Sequence, residues 1–175
     1  MNQAATERCE QAWAALKLVP DPEVPAISLC ELGIVRDVQV AEDGVLEAIL
    51  TPTYSGCPAT ELIEEQALAA LNAAGLGPSR IVLRRAPAWT TDWISEEGRQ
   101  KLRAYGIAPP GRTASMLAAG EAPIHVYGRR SASAVPCPRC GSDRTEQLSP
   151  FGSTACKALH RCLSCLEPFE HFKPI

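Results

Sequence analysis

Residues 137–165 read CPRCGSDRTEQLSPFGSTACKALHRCLSC. Two Cys-x-x-Cys pairs frame this stretch, Cys137/Cys140 and Cys162/Cys165, with 21 residues between them. Two residues between cysteines let both sulfurs face one ion from a single tight turn. Gly141 relieves the backbone just after the first turn. Two such turns supply four thiolates at the corners of a tetrahedron and leave no position for water. The spacing therefore predicts a β-rich ribbon over residues 136–175, built around one structural zinc. Its strands are expected at 145–148, 158–161 and 167–172. The same four sulfurs also suit iron in a rubredoxin-like site. Four unrelated core cysteines are the plain alternative, and the paired spacing argues against it. His160 lies two residues before Cys162, close enough for a ligand swap, but His160 and His171 read more simply as exposed or supporting residues. Cys156 reads as either buried or reactive.

The rest of the chain has a different composition. The whole chain has 175 residues, 46% hydrophobic and 21% charged, enough for one ordinary domain beside the ribbon. Eight cysteines are present, five of them at or after Cys137, a skew that points to metal ligation rather than disulfides. The N-terminus has no basic flank leading into an apolar run, and no apolar stretch approaches bilayer length. A cytoplasmic chain without membrane association is expected. The net charge of −3 lacks the basic excess of a phosphate-binding protein. Arg129, Arg130, Arg139, Arg144, Lys157 and Arg161 can form a local basic face. A solvated or protein-docking surface is the simpler reading, so no nucleic-acid partner is expected.

Upstream of the ribbon the periodicity gives α-β-β-α-β-α. Residues 4–18 form an amphipathic helix, with Trp13 and Leu16 on one face, ended by Pro20 and Pro22. Residues 21–27 read as a turn leading into a short helical stretch. Residues 34–40 and 45–50 form a hairpin about Glu42-Asp43-Gly44. A helix over 58–74 carries Leu62, Ile63, Ala67, Leu68 and Leu71 on its apolar stripe and stops at Gly75. A third strand centres on 81–83, and Ser95 caps a last helix to Tyr105. The fold class is α+β, a small mixed sheet with helices on one face, followed by the zinc ribbon. The expected domains are residues 1–105 and 136–175. Residues 106–135, rich in Pro, Gly and Ser, form a linker in which 124–127 is a short strand or docking segment.

Cys57 precedes Pro58, and proline favours the first turn of a helix. That places Cys57 at the N-cap, where helix N–H groups and the dipole would lower the thiol pKa. Such a thiolate can attack an electrophile or bind a soft metal, although Glu61, Glu64 and Glu65 oppose the effect. A plain structural cysteine is the competing reading. Cys9 and Cys30 read as core. No histidine precedes His125, so a Cys–His hydrolase lacks a nearby base. No Walker loop, Gly-x-Ser-x-Gly or Gly-x-Gly-x-x-Gly is present.

Several runs together carry a resemblance. Asp21-Pro22-Glu23-Val24-Pro25, Leu32-Gly33-Ile34-Val35, Thr51-Pro52-Thr53-Tyr54-Ser55-Gly56-Cys57-Pro58 and Trp89-Thr90-Thr91-Asp92-Trp93-Ile94-Ser95 resemble the small domain of SufT-like iron–sulfur assembly factors. Cys137-Pro-Arg-Cys140-Gly-Ser, Phe151-Gly-Ser-Thr-Ala-Cys156-Lys and Cys162-Leu-Ser-Cys165-Leu-Glu-Pro-Phe are similar to the PaaD family of phenylacetyl-CoA epoxidase systems. The resemblance covers nearly the whole chain except the linker. It implies a non-catalytic accessory protein of phenylacetate degradation that assists maturation or assembly of iron–sulfur or di-iron centres. The alternative it leaves is a structural adaptor between oxygenase and reductase. It also implies that Cys57, Asp21 and Glu23, with Asp92 as a weaker candidate, handle iron or a transient iron–sulfur cluster. The implied partners are the epoxidase subunits and the iron–sulfur assembly machinery; separately, a homodimer could pair two Cys57 residues around one cluster.

Overall fold

The structure is a computed structural model that describes residues 3–54, 56–111 and 135–174. The chain divides into two compact units, Met1–Lys101 and Leu102–Ile175. The expected segment at 124–127, His125, Arg129 and Arg130 lie outside the described residues. Among the described residues no helix is long and apolar enough to cross a membrane.

In the first unit, helix α1 (Gln3–Leu16) buries Ala12 and Leu16, four residues apart on one face. Strands β1 (Val35–Val40) and β2 (Leu46–Leu50) form the antiparallel hairpin. Gly44, at φ +79°, makes its turn, and the Asp43 carboxylate accepts the Val45 N–H at 3.0 Å. Helix α2 (Thr60–Ala73) buries Ile63, Ala67 and Leu71 and crosses back to β3 (Ser79–Leu83). β3 then pairs parallel to β2, which a two-residue turn could not achieve. The sheet order is β1-β2-β3. α1 packs on β1, α2 packs on β3, and the two helices touch each other, so both cover one face. Leu16, Ile27, Leu29, Ile34, Leu46, Ile49, Leu50 and Leu71 are fully buried in this unit. Arg8 of α1 donates to the carbonyls of Leu76, Gly44 and Pro78, at 2.5, 2.7 and 3.0 Å, fastening the helix over the loops that enter β2 and β3.

Two local expectations are corrected. Residues 21–27 form consecutive turns with no helix, closed by an isolated bridge between Pro20 and Ser28. Pro22 and Pro25 explain this, because proline disfavours the helical conformation of the residue before it. Leu62 is exposed rather than on the buried stripe, because α2 begins at Thr60 and points position 62 away from the sheet. Helix α3 (Glu96–Tyr105) starts as expected, the Ser95 hydroxyl accepting the Gly98 N–H at 3.0 Å.

The second unit is a four-stranded sheet of order β4-β7-β6-β5. Its members are β4 (Ile107–Ala108), β5 (Thr145–Ser149), β6 (Lys157–Cys162) and β7 (Pro168–Phe172). β5, β6 and β7 pair antiparallel in sequence, and β4 adds in parallel to β7. Residues 107–108 fall in the segment read as linker from its prolines and glycines, yet their backbones complete an edge of this sheet. Ala108, Cys137, Cys162 and Phe169 make a small core, with Val135 packed against it. Leu102, Ile107, Cys156, Ala158 and Phe172 are buried in the same unit.

Candidate metal centre and thiol site

The Sγ atoms of Cys137, Cys140, Cys162 and Cys165 all lie within 4.8 Å of one another, the one such cluster of three or more ligand groups among the described residues. The Cys137–Cys165 and Cys140–Cys162 sulfurs are 3.7 and 3.6 Å apart. A tetrahedral ion bonded to sulfur at about 2.3 Å sets its ligands about 3.8 Å apart, so the donors fit the ion the spacing implies. Backbone N–H groups of Ser164 and Cys165 point at the Cys162 sulfur, at 3.3 and 3.5 Å. These bonds, the Cys165 amide foremost, pull the Cys162 thiol down. At its neighbour Cys165 the Glu167 amide acts in the same sense, but burial and the sulfurs of Cys162, Cys140 and Cys137 outweigh it and push the thiol up. The two knuckles are alike in backbone but not in sequence. Gly141 follows Cys140 at φ +73°, and Leu166 follows Cys165 at φ +66°. The Ser142 and Ser164 hydroxyls, 2.8 Å apart, tie one knuckle to the other.

The neighbouring groups are not ligands. His160 is buried, stacks on Phe169 at 5.6 Å and meets the edge of His171 at 5.3 Å. Burial lowers its pKa, and burial together with His160 brings that of His171 down to about 4, so both rings are neutral. Cys156 is buried with its sulfur 3.0 Å from the Thr154 hydroxyl. Two members of the suspected basic face are engaged, while Arg139 and Arg144 are exposed. Lys157 is 2% exposed and paired with Glu170 at 2.9 Å, and Arg161 pairs with Glu146.

In the first unit, Cys57 is half-buried in the loop between β2 and α2. It is not the N-cap. α2 is capped at Ala59, with no side-chain cap, and Pro58 and Ala59 lie in a turn ahead of the helix. The Cys57 carbonyl accepts the Thr60 hydroxyl at 2.8 Å. The expected lowering of the Cys57 pKa is also reversed. Burial raises it, and the charges of Glu23 and Asp21 raise it further, against hydrogen bonds from the Ala59 amide and the Thr60 hydroxyl. Displacing the sulfur from the helix end weakened the dipole effect, while the chain fold brought two carboxylates towards it.

The charges of Glu23 and Asp21 thus act on the Cys57 thiol from the 21–27 loop. Asp21 is buried, and its Oδ1 accepts the N–H groups of Glu23 and Val24 at 3.0 and 2.8 Å. Asp92 is exposed in a single 3-10 turn, Thr91–Trp93, and does not figure among the main charges acting on Cys57. That turn instead docks on the loop before β1. The Trp89 indole donates to the Leu32 carbonyl at 3.1 Å, and the Arg36 guanidinium lies 3.6 Å from the centre of the Trp93 ring. Thr60 was not among the expected site residues, although a threonine three residues after Cys57 is a turn-closing signal. Cys9 and Cys30 are half-buried, and burial raises the Cys30 thiol to about 11, leaving it inert.

Residues 10–79 match the family model of an iron–sulfur cluster assembly protein, and residues 121–173 match that of the PaaD zinc beta ribbon domain. The chain is 45% identical, over 98% of its length and 96% of the relative's, to a putative 1,2-phenylacetyl-CoA epoxidase subunit of Escherichia coli. It is 31% identical, over 58% of its length and 97% of the relative's, to an Fe-S protein maturation auxiliary factor of Porphyromonas gingivalis. A crystal structure of a domain of unknown function from Bacillus anthracis covers 57% of this chain and 94% of its own length. Its TM-score is 0.52 at 24% identity, a likeness of fold. Identity that runs through both the thiol-bearing domain and the four-cysteine ribbon places this chain in the PaaD family.

Proposed function

We propose that this protein is a non-catalytic accessory factor of phenylacetate degradation, which helps mature or assemble the metal centres of a phenylacetyl-CoA epoxidase. Cys57 is the residue that handles iron or an iron–sulfur cluster, with Glu23 and Asp21 beside it. The ribbon holds a resident zinc through Cys137, Cys140, Cys162 and Cys165 and serves as structure. The protein acts in the cytoplasm with the oxygenase or reductase subunits and the iron–sulfur assembly machinery, and a second copy can share a cluster between two Cys57 residues.

The observation that carries this reading is the character of the Cys57 loop. One soft donor and nearby oxygens bind iron more weakly than four thiolates do, which suits cargo that must leave. Burial and the nearby charges raise the thiol pKa, so a metal that binds displaces a proton and loading strengthens as pH rises. The chain has no histidine before His125, so the loop carries no base for nucleophilic catalysis of its own. Asp92, on the surface of its 3-10 turn, stands as an outer acidic contact for the same cargo.

A structural adaptor that joins oxygenase to reductase is the second reading. Leu163 and Leu166, 39% and 70% exposed on the second knuckle, favour it as apolar contacts for a partner. Epoxidase activity in cells carrying Cys57→Ser separates the two. Loss of activity, with the iron content of the epoxidase reduced, supports maturation. Full activity supports the adaptor.

A further inference from the structure

The two carboxylates beside Cys57 do different work. Asp21 is 5% exposed and its Oδ1 takes two backbone N–H groups, those of Glu23 and Val24. Its own N–H donates to the Ile27 carbonyl at 2.8 Å, and the Ile27 N–H donates to the Val24 carbonyl at 3.0 Å. Asp21 is therefore the knot of the 21–27 loop, an Asx turn of the kind that fixes a chain by a side chain standing in for backbone. Val24 is 2% exposed, so turning the Asp21 Oδ1 to a ligand would strand a buried amide. A stranded amide costs about 1–3 kcal/mol. Glu23 is half-exposed on the same turn, with a longer side chain, and bears on the Cys57 sulfur more strongly than Asp21 does.

We propose that Asp21 is a positioning residue, holding the turn from which Glu23 presents its carboxylate to the cargo at Cys57, and that Glu23 alone of the two contacts that cargo. The division rests on the reading of Cys57 as the cargo site. It has a consequence peculiar to this geometry. Asparagine keeps a carbonyl oxygen that can accept both N–H groups, so Asp21→Asn preserves the turn while removing the charge, and Asp21→Ala removes both.

The test has two arms on the full-length, zinc-loaded chain. The first is amide hydrogen exchange at Glu23 and Val24. Asp21→Asn leaves both rates unchanged, and Asp21→Ala speeds them by about tenfold or more, the loss of one buried hydrogen bond. The second is anaerobic titration with iron(II) alone, compared across wild type, Cys57→Ser, Glu23→Gln, Asp21→Asn, Asp21→Ala and the Asp21→Ala/Glu23→Gln double variant. Asp21→Asn binds within about twofold of wild type, while Glu23→Gln and Asp21→Ala each weaken binding by about tenfold or more, the scale of a lost supporting contact. The double variant is no weaker than Asp21→Ala, because the two act on one path. Loss of iron in Asp21→Asn equal to that in Glu23→Gln would overturn the proposal, since Asp21 would then be a ligand. Equal iron binding by wild type and Cys57→Ser would instead sink the cargo site. The role of Asp21 in the turn is then decided by the exchange arm, where unchanged rates in Asp21→Ala contradict it.

Discussion

Gly33 and Trp93 meet backbone to backbone: a Cβ built on Gly33 would lie 2.6 Å from the Trp93 carbonyl oxygen and 2.7 Å from the Trp93 Cβ. Gly33 also sits at φ +75°. The contact seats the loop that carries Asp92 against the entrance to β1, and glycine is the residue that permits it. Gly33→Ala meets both a left-handed backbone and a clash, and is expected to destabilise the first unit by about 2–4 kcal/mol. Gly44 shares the left-handed backbone, at φ +79°, with nothing within 4 Å of the built Cβ. Gly44→Ala is expected to cost only about 1 kcal/mol. Urea unfolding of both variants checks the contrast.

Zinc removal is expected to unfold the ribbon. Four thiolates drawn from both ends of the ribbon converge on one site. A strong chelator should abolish the dispersed amide signals of β5, β6 and β7 while the helical signals of α1 and α2 remain, because the binding energy there is folding energy. The same loss should follow Cys137→Ser.

Leu166→Gly should leave the ribbon as stable or raise its stability by up to about 1 kcal/mol, since it relieves a left-handed leucine. The leucine side chain is 70% exposed, so little packing is lost. Thermal unfolding of the zinc-loaded protein checks it. Weaker binding to an epoxidase subunit together with unimpaired stability would assign the side chain to a partner contact.

Glu31 gives a pH dependence. Burial pushes its carboxyl up, but the Lys101 ammonium at 2.5 Å and the Ser28 amide and hydroxyl, at 2.8 and 3.0 Å, outweigh burial and hold it below its ordinary 4.5. A group whose folded pKa lies below its unfolded one stabilises the fold above the unfolded value. That stability is lost as pH falls through the folded value. Wild type should therefore lose stability as pH drops from about 4.5, and Glu31→Gln should be less stable at pH 7 and flatter across that window. Partial exposure of the pair keeps the difference to about 1 kcal/mol.

The parts of this architecture legible in the sequence are those set by local chemistry. The ribbon knuckles follow from cysteine spacing, the β1–β2 turn from Glu42-Asp43-Gly44, and the α3 cap from Ser95. What was not legible depends on distant partners. The parallel pairing of β2 with β3 needs the α2 crossover, and β4 is two residues whose only signature is the edge of β7 that they meet. Cys57 shows the same limit. Pro58 points to a helix start one residue after the cysteine, yet the helix begins at Thr60, and the thiol is raised first by burial and then by Glu23 and Asp21, more than thirty residues upstream. Resemblance singles out those carboxylates, but the hydrogen bonds that tie Asp21 into its turn are visible only in the folded loop.

The central claim is that Cys57 handles iron or a cluster while the four ribbon cysteines keep a permanent zinc. Elemental and acid-labile sulfide analysis of protein purified without oxygen, for wild type and Cys57→Ser, tests it most directly. The account predicts about one zinc per chain in both, as four-thiolate ligation requires, with iron or sulfide only in the wild type. Iron and sulfide in equal amounts in both proteins would contradict it.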